Sequence, residues 1–148
     1  MKGIHIDHTH VPIVTAKDAI AHHIRWRMAL QLAVTLREPL SARDVRIIHH
    51  PEECAVGKWL ISRQTLHLRS TPEYRALVSR HLEFHREMER VAALIGSGNY
   101  AAAELAMGPH SNYKQASLAI ANAMTALDRV QTICNRERRA PPYSPVNP

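Results

Sequence analysis

The sequence predicts an all-α protein, an antiparallel four-helix bundle with a short extra helix and a disordered C-terminal tail. Three observations carry that prediction. Apolar residues recur with a 3.6-residue period over long stretches, and no strand-like alternation is present. Glycine accounts for only 5 of 148 residues, too few for a turn-rich β architecture. Each periodic stretch is bounded by helix caps and breakers.

Residues 1–14 hold His5, His8, His10 and Pro12 without a helical period, and read as a flexible N-terminal segment. Thr15 is a good N-cap, and the Ala- and Leu-rich run behind it predicts a helix over 16–37, stopped by Pro39. Ala19, His23, Trp26, Leu30 and Ala33 share one side of it. In the connector over 38–53, the segment from Ser41 to Asp44 resembles a capping box and predicts a short helical turn. Pro51, Glu52 and Glu53 suit the start of a helix over 52–66. Thr71 and Pro72 open another, whose stripe Leu77, His81, Phe84, His85, Met88, Val91, Ile95 runs to Gly96 and Gly98. A short segment, Tyr100–Met107, precedes Gly108 and Pro109. The last helix spans about 111–136, with Tyr113, Ala116, Leu118, Ile120, Ala121, Met124, Leu127, Val130 and Ile133 as its apolar positions. The bundle thus covers 15–139, and 140–148, with four prolines, is a disordered tail.

Composition narrows the function. With 45% hydrophobic and 22% charged residues, the chain is globular. No apolar run approaches the ~18 residues of a membrane span, and the first residues lack the apolar stretch of a signal peptide. Cys54 and Cys134 alone cannot build a disulfide scaffold, so a reducing, cytoplasmic setting is expected. The net charge is +6, but the basic residues form no block beyond Arg136, Arg138 and Arg139. Aromatic residues are too sparse to stack bases, so nucleic acid is not an expected partner.

Histidine is the informative residue, with 11 in the chain. His81 and His85, four apart, project from consecutive turns of the apolar face of their helix. Two inward imidazoles need hydrogen-bond partners or a metal. Cys54 sits in the first predicted turn of a helix, where free N–H groups and the dipole favour a thiolate. On the first helix the stripe through Trp26 and Leu30 points His23 inward, while His22, rotated by about 100°, points more to the flank and is the alternative ligand from this helix. Together His23, Cys54, His81 and His85 form a set of three imidazoles and one thiolate suited to tetrahedral Zn2+. Cys134, at the end of the last helix, reads as structural; His49, His50, His67 and His110 carry no comparable signal. Trp26 and Trp59 read as core residues over the metal-bearing layer.

The same residues carry a family resemblance. His23-Ile-Arg-Trp26, Cys54-Ala-Val-Gly57-Lys58-Trp59 and His81-Leu-Glu-Phe84-His85 resemble the signatures of the chemoreceptor zinc-binding (CZB) domain family. The run Gly108-Pro-His-Ser111-Asn-Tyr113-Lys-Gln-Ala-Ser117 is similar to its last-helix pattern. The likeness covers roughly residues 16–134. It implies a helical bundle holding one zinc through three His and one Cys, acting as a cytoplasmic sensory input to a chemoreceptor or a diguanylate cyclase. No signalling or cyclase domain is attached here, so the implied partner is such a protein acted on in trans, and a homodimer is compatible.

A closed four-ligand site leaves no open coordination position, so an enzyme is not expected. The expected role is a zinc-binding sensory or regulatory domain that responds to zinc availability or to oxidation of Cys54. Two alternatives are a hemerythrin-like di-iron oxygen carrier and a helical-bundle zinc hydrolase. The first lacks the Glu-x-x-His pairs of a di-iron core, since Val78 and Leu82 stand three residues before His81 and His85. Cys54 as fourth ligand opposes the second.

Overall fold

The structure, a computed structural model, describes residues 3–4 and 12–141. It is all-helical: α1 (Ala16–Leu36), α2 (Ala42–His49), α3 (Ala55–Ile61), α4 (Pro72–Gly96), α5 (Tyr100–Ala106) and α6 (Asn112–Arg139). Two 3-10 turns, Pro51–Glu53 and Arg63–Leu68, flank α3. Among the described residues no helix is long and apolar enough to cross a membrane.

Helix starts follow the caps in the sequence. The hydroxyls of Ser41, Thr71 and Ser111 accept the backbone N–H of Asp44, Tyr74 and Lys114 at 3.1, 3.2 and 3.1 Å. Asp18 accepts the N–H groups of Val14 and Thr15 at the head of α1. After α4, Gly98 turns the chain at φ +75°, a conformation glycine adopts without strain.

Long helices α1, α4 and α6 pack on one another, with α2 against α4 and α3 against α1. The core between them includes Leu30, Leu77, Phe84, Met88, Ile120, Met124 and Leu127. Gln131 of α6 ties the start of α1, accepting the Ala16 N–H at 3.0 Å and donating to the Val14 carbonyl at 3.4 Å. Ile4 pairs with the α1–α2 connector, donating its N–H to Pro39 and accepting that of Ser41. His5, His8 and His10 of the N-terminal segment, and residues 142–148 of the expected tail, lie outside the described residues.

Four details differ from the sequence reading. The helix expected over 52–66 is broken into a 3-10 turn, α3 and a second 3-10 turn, because Cys54 is extended (φ −74°, ψ 157°) and acts as the N-cap of α3. The turn expected at Ser41–Asp44 grows into the two-turn α2, whose Ile47 and Ile48 are buried. His22 is buried like His23, since the inward face of α1 is wide enough to take both. On α6 the stripe is displaced: Leu118 and Ile133 are exposed, while the polar Ser117 and Gln131 are buried because each has a partner across the bundle.

Candidate metal centre

Cys54, His81 and His85 meet in the interior, each buried, with their ligand atoms within 4.8 Å of one another. The spacing along α4 makes the pair: the two rings stack edge to face with centroids 4.7 Å apart. Cys54 arrives from the other side because the Pro51–Glu53 turn folds back over the start of α3. That fold depends on Gly57, where an added Cβ would lie 2.0 Å from the Pro51 carbonyl oxygen. The Cys-x-x-Gly spacing is thereby explained. Gly57 permits the close approach, and its N–H donates to the Cys54 sulfur at 3.2 Å.

The ligand atoms are oriented by their other contacts. His85 Nδ1 donates to the Ile48 carbonyl of α2 at 2.9 Å, which leaves Nε2 as the nitrogen able to meet a metal. Trp26 lies edge-on to the same ring, centroids 6.5 Å apart. His81 Nε2 lies 3.0 Å from Cys54 Sγ. The two atoms are within hydrogen-bond reach of each other. Burial pushes the Cys54 thiol up to about 11, outweighing the Gly57 and Val56 N–H groups that pull it down. Burial likewise pushes His81 down to about 3, helped by the neighbouring His85, and lowers His85. The helix-start effect expected to favour the thiolate is therefore overridden by desolvation until a cation is present.

The donor set fits a metal. Zinc bonds of about 2.3 Å to sulfur and about 2.0 Å to nitrogen place tetrahedral S and N ligands about 3.5 Å apart. The observed 3.0 Å between Cys54 Sγ and His81 Nε2 opens to that value with a small side-chain shift. One thiolate and imidazoles suit zinc or another borderline-soft ion and disfavour magnesium or calcium.

His23 stands outside this three-residue group. Its Nε2 lies 3.1 Å from Ser117 Oγ on α6, and its ring meets Phe84 edge-on at 4.5 Å between centroids. Its Nδ1 is buried without a hydrogen-bond partner, and burial, with Arg27 nearby, pushes the ring down to about 4. Trp59 is in the core as expected, and Cys134 is partly exposed where Cys54 is buried. The Ile48 carbonyl had no signal in the sequence, since any residue supplies a carbonyl. Ser117 was visible only within the last-helix motif.

Comparison with protein-family models, with curated proteins and with solved structures gives no significant match.

Proposed function

We propose that the chain is a zinc-binding regulatory domain of the kind its motifs resemble. The observation that carries this is the convergence of Cys54, His81 and His85 from α3 and α4 on one buried point, with Ile48 of α2 orienting His85. Zinc bound there joins three elements through one ion. His23 is the fourth ligand in this reading, since its buried Nδ1 has no partner. Bound zinc stabilises the thiolate and ties the Pro51–Ile61 segment to α4. Its loss, or oxidation of the sulfur, frees that segment, and a partner can recognise the change. In keeping with the resemblance, that partner is a chemoreceptor or diguanylate cyclase type signalling protein.

A second reading has support from His23 lying against Ser117. It is a three-ligand zinc with water in the fourth position, as in hydrolases. Amide hydrogen exchange on zinc-loaded and chelator-stripped protein tests the regulatory reading. The expected result is faster exchange over Pro51–Ile61 after stripping, with α6 protected as before. Uniform exchange in both states, or general unfolding on stripping, overturns a local switch.

A further inference from the structure

A short strap of chain closes one side of the metal centre. α2 ends at His49, and the 3-10 turn Pro51–Glu53 then carries the chain to Cys54, the cap of α3. Cys54 is only 2% exposed, so a reagent or chelator reaches its sulfur only when the strap lifts.

The two ends of the strap are held differently. At the end of α3 the chain is fastened from several directions. The Leu60 carbonyl accepts from the Tyr74 hydroxyl of α4 at 2.6 Å and from the Thr65 hydroxyl at 2.8 Å. Arg69 donates to the Ile61 and Ser62 carbonyls at 2.9 and 3.1 Å. At the Pro51–Glu53 turn the bonds are internal. The Glu53 N–H donates to the His50 carbonyl at 2.8 Å, and the Cys54 N–H to the Pro51 carbonyl at 3.3 Å. His50 and Glu52 meet each other at 3.2 Å. These contacts fix the shape of the turn and not its place.

Glu53 ties the turn back to α2. Arg46 donates to one carboxylate oxygen from Nε at 3.2 Å and to the other from Nη2 at 3.0 Å. The fork spans seven residues across the corner at His50 and ends on the residue next to Cys54. A two-point guanidinium–carboxylate pair fixes direction as well as distance, so it holds the angle at which the strap meets α2. The two side chains are 69% and 35% exposed, so salt weakens the pair.

We propose that the Arg46–Glu53 fork is a clasp on this strap: it sets how often Cys54 swings out to solvent, and thereby how fast the centre exchanges zinc and meets oxidants. Its part in metal exchange rests on the zinc reading. The opening itself does not, because the burial of Cys54 belongs to the fold. Because the clasp is ionic, opening also rises with salt.

The test alkylates reduced, chelator-stripped protein with iodoacetamide, and mass spectrometry follows Cys54 and the partly exposed Cys134 separately. Arg46→Gln and Glu53→Gln should each speed modification of Cys54 about two- to fivefold, the worth of an exposed ion pair, and leave Cys134 unchanged. The double variant should be no faster than either single one, since both remove the same contact. Arg46→Glu combined with Glu53→Arg should recover most of the native protection. Arg80→Gln, which breaks the Arg80–Glu83 pair on α4, should change nothing. Unchanged Cys54 rates in the single variants, multiplied rates in the double, or a parallel rise at Cys134 overturn the clasp. On zinc-loaded protein, release to a chromogenic chelator should quicken by a similar factor. Faster alkylation with unaltered release overturns the link to metal exchange alone. A chain that takes up no zinc fails the zinc reading, while alkylation of the metal-free protein still decides the clasp.

Discussion

At the scale of single residues, the chemistry turns on a thiol held neutral until a cation arrives. Burial raises Cys54 and depresses His81, so at neutral pH metal-free protein presents a protonated sulfur beside unprotonated imidazoles. Zinc binding must then expel the thiol proton and no histidine proton. Calorimetry in buffers of different ionisation enthalpy should count about one proton released per zinc near pH 7.5. Cys54→Ser should release close to none and bind zinc far more weakly. Release of two or more protons from the native chain would mean that the histidines are charged before binding. Part of the candidate set was legible: Cys54 at a helix start and His81 and His85 four residues apart do converge, whereas His23, expected with them, stands outside the group. The thiol's protonation was not, since a cap position favours the thiolate while burial opposes it, and burial depends on the whole fold.

At the scale of elements, the Pro51–Glu53 turn and α3 form the part of the fold most dependent on one residue. The 2.0 Å approach of a Cβ at position 57 to the Pro51 carbonyl leaves no room for alanine unless backbone moves. Gly57→Ala should destabilise the protein by about 1–3 kcal/mol, the usual cost of overpacking, and should also weaken zinc binding by displacing Cys54. Denaturant unfolding and chelator competition measure the two effects. Native stability together with native zinc affinity would show that the turn is not held by this contact. Sequence periodicity located α1, α4 and α6 well, because long amphipathic helices declare themselves. It missed the break at Cys54, where Pro51, Glu52 and Glu53 look like the first turn of a longer helix. The extended backbone at residue 54 comes instead from the docking of α3 onto its neighbours. Ser117 and Gln131 escaped for a similar reason, as polar residues buried for partners 94 and 115 positions away.

At the scale of the whole molecule, buried histidines make the metal-free bundle acid-sensitive. His23 falls to about 4 and His81 to about 3, against an ordinary value near 6.5, so the unfolded chain binds more protons than the folded one as pH drops. Stability is unaffected above about pH 7 and declines as pH falls through 6.5 toward 4, by about 1.4 kcal/mol per pH unit for each histidine fully involved. Urea midpoints of stripped protein between pH 7.5 and 5 should fall accordingly, and a flat profile would contradict neutral burial of these rings. Bound zinc should shift the decline to lower pH, since protons must first displace the metal. That last effect, unlike the acid sensitivity of the stripped protein, depends on the interior of the bundle being a metal centre. Elemental analysis of protein purified without added metal addresses that claim most directly. One zinc per chain is the predicted result, reduced to a small fraction in Cys54→Ser and His85→Ala at unchanged helix content. Protein free of zinc, protein carrying chiefly iron, or zinc retained in full by both variants would contradict it.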